Sequence, residues 1–156
     1  MSPIYLIPPH RLVEAAGTKR IGPNVIVFAD ETYTITSLVW VRDVFAPAWA
    51  ESMLLLGVRD WRADSQDCDD FARFCAGYAQ LVNNSTLRKM EKPPAVSLAF
   101  GEFWYQQDAG GGHAINVFFH TDPTSGQLVP AFFEPQNATV VRLSSREIAS
   151  CSFLRL

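Results

Sequence analysis

Three side chains able to do thiol chemistry follow one another along this chain. Cys68 lies in DCDDFARFCAGYA (Asp67 to Ala79), His113 in GGGHAINVFF (Gly110 to Phe119) and Glu134 in FFEPQN (Phe132 to Asn137). A thiolate can attack a carbonyl, an imidazole can take and return its proton, and a carboxylate can fix the imidazole tautomer. The order Cys, His, acid therefore suits nucleophilic chemistry, provided that the fold brings the three together.

The elements that would position them are legible from spacing. Cys68, Ala72, Cys75, Ala79 and Val82 recur at steps of three and four, which predicts a helix with these residues on one face. Ser65 or Asp67 can cap it. Cys68 would then sit where free backbone N–H groups and the positive end of the helix dipole favour thiolate. Asp67, Asp69 and Asp70 oppose this, because neighbouring carboxylates raise a thiol's pKa unless a cation neutralises them. A bland alternative stands beside this: a cysteine on an apolar stripe is an ordinary small core residue.

Downstream, Val96 to Gln107, His113 to His120 and Leu128 to Glu134 read as strands, with Asp122 to Gly126 (DPTSG) as a hairpin turn. His113 would open one strand and Glu134 would end its antiparallel partner, so the two can lie side by side. Gly110, Gly111 and Gly112 permit an unusual backbone path, and Gly112 is a candidate for positioning a ligand against His113. Upstream, residues 1–24 carry Pro3, Pro8, Pro9 and Pro23 and are expected to be extended. Val25 to Ala29 and Tyr33 to Val41 are expected to form a hairpin, and Asp43 to Leu56 a helix capped by Asp43. Helices followed by an antiparallel sheet predict an α+β fold in a single domain over residues 1–156.

DCDDFA, GHAINVFF and FFEPQN together resemble the papain-like and transglutaminase-like cysteine peptidases. The closer likeness is to the C-terminal protease domain of fungal mushroom agglutinins and related bacterial and phage proteins. It covers roughly residues 60–140. The resemblance implies a papain-like fold, with the nucleophile helix packed on an antiparallel sheet. It implies Cys68 as nucleophile, His113 as general base and acid, Glu134 as orienting acid, and a requirement for calcium. Gln66 and Trp61 are candidates to complete an oxyanion hole with the Cys68 N–H. Asp67, Asp69 and Asp70, with Asp64, are candidate calcium ligands. The expected activity is thiol-dependent acyl transfer, as a cysteine peptidase or amidase on a peptide or protein. Transfer to an amine, as in a transglutaminase, stays open.

Two readings from other classes stay open as well. One is an inactive binding or assembly module whose FGEFWYQQ aromatics meet a partner. The other is a zinc site on Cys68, His113 and Glu134, for which the tight CxxC spacing of structural zinc is missing. With 156 residues, a net charge of -3 and no basic run, the chain has no electrostatic footprint for nucleic acid. No stretch approaches the roughly 20 apolar residues that span a bilayer. The N-terminus lacks signal-peptide character and the three cysteines cannot all pair, so a cytoplasmic, reducing location is expected.

Overall fold

The computed structural model describes residues 6–16, 26–58, 67–92, 94 and 96–156. Trp61, Asp64, Ser65 and Gln66 lie outside the described residues, and the roles expected of them receive no structural account. The elements in chain order are α1 (Pro9–Ala16), β1 (Ile26–Val27), β2 (Tyr33–Thr34), α2 (Leu38–Trp40), α3 (Ala46–Leu55), α4 (Cys68–Leu87), β3 (Ser97–Leu98), β4 (Phe100–Gln106), β5 (Gly112–Thr121), β6 (Leu128–Glu134), β7 (Thr139–Val141), α5 (Ser145–Ala149) and β8 (Phe153–Arg155). The fold is mixed α+β. Among the described residues, β1-β8-β4-β5-β6-β7 form one sheet, antiparallel except for the β1–β8 pair, and β2 pairs with β3 in parallel.

The sheet is apolar on both faces, as a sheet covered on both sides must be. Phe103, Tyr105, Ile115, Val117, Phe119 and Phe132 form one core with Leu12 and Ala16 of α1. Phe100, Phe118 and Phe133 form the other, against Trp49 and Met53 of α3 and Phe71, Cys75 and Ala79 of α4. Alternate residues of β5 therefore enter opposite cores, and the strand reads as a nearly unbroken apolar run. Helix α4 lies across β4 and β5 with its Phe71, Ala72, Cys75 and Ala79 stripe buried. Asn116 of β5 is fully buried and its Nδ2 donates to the carbonyls of Ala72 (2.7 Å) and Gly101 (3.0 Å), tying helix to sheet.

The first third departs from expectation in three ways. The proline-rich segment holds α1, because a proline at the first helical position gives up an N–H that has no intrahelical partner anyway. Residues 38–41, expected as strand, are helical: Ser37 Oγ accepts from the Trp40 N–H and starts the helix there. Asp43 is consequently not a cap. It sits inside a π-helical turn, Val41–Phe45, and pairs with Arg42 at 2.6 Å. Pro47, just beyond, cannot donate to the turn before it, and the turn widens to accommodate this. The expected hairpin between residues 25–29 and 33–41 does not form, since β1 pairs with β8 and β2 with β3.

Candidate functional site

Helix α4 opens at Cys68 with Asp67 in the N-cap position, in extended backbone. The Asp67 side chain makes no cap hydrogen bond and its Oδ1 is buried without a partner among the described residues. It engages the Asp69 carboxyl instead, and this contact holds Asp69 above the ordinary carboxylate range and Asp67 below it. Asp69 and Asp70 in turn face Arg73, at 3.2 and 3.4 Å, at the (i, i+4) and (i, i+3) spacings that bring helical side chains together.

His113 and Glu134 meet across the β5–β6 hairpin. The register sets Asn116 opposite Phe133, which brings Glu134 level with Ile115, one diagonal step from His113. Nε2 of His113 lies 2.7 Å from Oε2 of Glu134. The other carboxylate oxygen accepts the Gln136 N–H at 3.1 Å, so both oxygens are held. Trp49 of α3 donates its indole N–H to the Pro135 carbonyl at 2.8 Å and anchors the segment that follows Glu134. The ring of His113 also meets Tyr105 edge to face, its partner across β4–β5. Glu134, Tyr105 and Trp49 thus fix the imidazole plane and the tautomer: Nε2–H faces the carboxylate, leaving Nδ1 as an acceptor when the ring is neutral.

Cys68 and His113 share the wall of a cleft of about 210 Å³, with Asp69, Trp104, Tyr105, Gln106, Gly112, Ala114 and Ser152. Gly110 and Gly111 adopt φ of 92° and 93°, which lets the loop after β4 turn back so that β5 begins at the cleft. Gly112 itself has no such requirement. A side chain there would make ordinary contact with Gln106 Nε2 at 3.7 Å. The indole Nε1 of Trp104 is buried with no hydrogen-bond partner among the described residues. Neither Trp104 nor Ser152 stood out in the sequence. The alternation of β4 was the signal for Trp104, while Ser152 reaches the site only through the β4–β8 pairing.

The electrostatics of Cys68 run against the expected thiolate. Burial is the largest effect and pushes the thiol up, the Asp67 and Asp69 carboxylates push the same way, and the Ala114 N–H opposes them without prevailing. Among the described residues no hydrogen bond joins its Sγ to His113. Among the described residues, Asp67, Asp69 and Asp70, the expected calcium ligands, engage one another and Arg73. No group of three or more His, Cys, Asp or Glu among the described residues is arranged to hold a metal ion, which also applies to zinc on Cys68, His113 and Glu134.

No protein-family model and no curated protein matches the chain. Solved structures do. The chain is similar to a PSL1a-E64 complex, with a TM-score of 0.64 and 22% identity over 96% of this chain and 50% of that one. It is also similar to the Polyporus squamosus lectin bound to the human-type influenza-binding epitope Neu5Acα2-6Galβ1-4GlcNAc, with a TM-score of 0.62 and 23% identity over 94% of this chain and 46% of that one. The chain spans about half the length of these proteins, and the likeness is one of fold. It gives no support to the resemblance to papain-like or transglutaminase-like cysteine peptidases, since a structure that shares the fold is titled a lectin. The expectation of a hydrolase or thiol protease working by acyl transfer is likewise not supported. No helix of the described residues is long and apolar enough to cross a membrane.

Proposed function

We propose that this chain is a ligand-binding domain, and that its ligand is a saccharide seated in the cleft at the start of α4. The observation that carries this reading is the Trp104 ring, part-exposed in the wall of the cleft. Around it stand the groups that recognise hydroxyls: the Asp69 carboxylate, the Gln106 amide, the Ser152 hydroxyl and the His113 imidazole. Aromatic rings with a few convergent polar groups form the usual chemistry of a small-molecule site. The fold likeness to a lectin solved with a bound oligosaccharide supports the same class of ligand.

Cys68, His113 and Glu134 take binding roles in this proposal. Glu134 orients the His113 ring, His113 Nδ1 accepts from a ligand hydroxyl, and Cys68 forms a compact, weakly polar part of the wall. The test is a glycan array with the intact chain, followed by titration of the best hit against Asp69→Ala and Gln106→Ala. Each substitution is expected to weaken binding about tenfold, from the loss of a roughly 1.4 kcal/mol hydrogen bond. The ligand is also expected to slow alkylation of Cys68. Binding that survives both substitutions, or capture of peptides with no glycan bound, would overturn the proposal.

A further inference from the structure

A larger cavity, of about 340 Å³, lies away from the cleft between the flank of α4 and the paired ends of β4 and β8. Its wall includes Glu102, whose side chain is only 4% exposed. Among the described residues, this carboxylate forms an ion pair only with Arg155 Nη1, at 3.8 Å, beyond hydrogen-bonding distance, and that guanidinium is itself half exposed. Among the described residues no hydrogen bond reaches either Glu102 oxygen. Buried carboxylates are ordinarily paired and hydrogen-bonded, since removing the charge from water is otherwise costly.

The other charged groups of the cavity leave that deficit in place. Arg73 faces Asp69 and Asp70, so its charge is already balanced. The Gln80 amide is spent at both ends on the backbone of Leu98, at 2.7 and 3.0 Å. Asp30 adds a second carboxylate, which accepts from the Ser97 hydroxyl. Phe100, fully buried, supplies an apolar floor. The cavity therefore sets two carboxylates, Asp30 and Glu102, against two guanidinium groups, of which Arg73 is engaged by Asp69 and Asp70 and Arg155 stands too far from Glu102 for a hydrogen bond. It leaves Glu102 an under-bonded acceptor in a volume at the lower end of the range for small-molecule sites.

We infer that this cavity binds a small organic cation bearing N–H donors, a primary ammonium or guanidinium group, with Glu102 as its anchor. The cation forms the hydrogen bonds that Arg155 is too distant to make, and its short apolar stem lies on Phe100. Arg155 competes with the ligand for the same carboxylate.

The experiment is a titration of the intact chain with ethylguanidinium and n-butylammonium, following backbone amide chemical shifts of Gly77, Gly101 and Glu102, with uncharged ethylurea as control. Saturable shifts confined to the cavity are expected for at least one cation and none for ethylurea. Glu102→Gln should weaken binding at least tenfold, and Arg155→Ala should tighten it severalfold. No saturable shift with either cation, an equal response to ethylurea, or full binding by a folded Glu102→Gln variant would overturn the inference. If Glu102→Gln fails to fold, unchanged affinity in Arg155→Ala overturns it. Neither substitution alters a residue lining the cleft, so this test is independent of the saccharide proposal.

Discussion

The pH dependence of Cys68 alkylation separates the physical effects that meet at the start of α4. An ordinary thiol with a pKa of 9.0 is about 1% thiolate at pH 7, and only the thiolate reacts. The helix N-terminus favours the anion by roughly 0.3–1 kcal/mol at a surface position. Burial and the Asp67 and Asp69 carboxylates outweigh it, so Cys68 titrates above 9.0 and its thiolate fraction at pH 7 falls below about 1%. Iodoacetamide should accordingly modify Cys68 more slowly than glutathione at pH 7, with a rate that climbs past pH 9 and shows no plateau near neutrality. Cys68 should still react before Cys151, whose thiol is pushed up to about 11, and before fully buried Cys75. Asp69→Asn removes one repelling charge and should raise the rate at pH 8. Mass mapping of the alkylated cysteines across a pH series measures all of this. Reaction faster than glutathione at pH 7, levelling off below pH 8 and lost in His113→Ala, would refute the reasoning, because it would require a thiolate paired with an imidazolium.

Two predictions concern stability. The Cβ of Gly101→Ala would fall 1.8 Å from the Arg155 carbonyl oxygen and 2.8 Å from both the Arg155 carbonyl carbon and Leu156 Cδ2. Backbone has to move, so the variant should lose about 3 kcal/mol or more, the upper end for overpacking. In a chain of this length that lowers Tm by roughly 6–12 °C in a calorimetric scan. Gly77→Ala, in mid-α4 with open space around the added methyl, should gain about 1 kcal/mol from helix propensity, so the same substitution takes opposite signs at the two sites. The buried Cys75 and Cys151 thiols predict alkaline sensitivity. Their folded pKa values lie above 9.0, so the unfolded chain releases protons first as pH passes 9. Stability should be unaffected by these thiols below pH 8 and should decline from about pH 9 to 11, less steeply in Cys151→Ala. A flat Tm over that range would refute this.

What the sequence made legible was local. The α4 stripe, the β5–β6 hairpin and its DPTSG turn follow from periodicity and from Asp122, whose carboxylate accepts the N–H groups of Thr124 and Ser125. The meeting of His113 with Glu134 follows from that hairpin. What stayed hidden depended on distant parts of the chain. The two-residue strands β1 and β2 carry no pattern long enough to reveal parallel partners 128 and 64 positions away, as Ile26 with Leu154 and Tyr33 with Ser97. The helix from Leu38 was masked by β-branched residues that read as strand until Ser37 is seen to cap them. The carboxylates that oppose a Cys68 thiolate were legible in Asp67 and Asp69, while the burial that outweighs them was not, because it depends on strands distant in the chain.

Strand β4 shows how much one period of two decides. FGEFWYQQ can be taken as an exposed aromatic strand awaiting a partner, yet β4 lies inside the sheet between β8 and β5. Its odd positions, Phe103 and Tyr105, enter the core under α1, with Tyr105 also reaching the cleft wall. Its even positions line the two cavities in succession: Phe100 and Glu102 the larger cavity, Trp104 and Gln106 the cleft. Helix α4 repeats the division one element away, with Asp69 on the cleft and Arg73 on the larger cavity, joined by their own ion pair. A shift of β4 by one residue would place Phe103 and Tyr105 where Glu102 and Trp104 stand, burying Glu102 in an apolar core. The close approach of Gly101 to Arg155, which admits no side chain, holds β4 and β8 against such a slip. Both cavities therefore depend on the same register, and a substitution that loosens β8 from β4 should distort the two together.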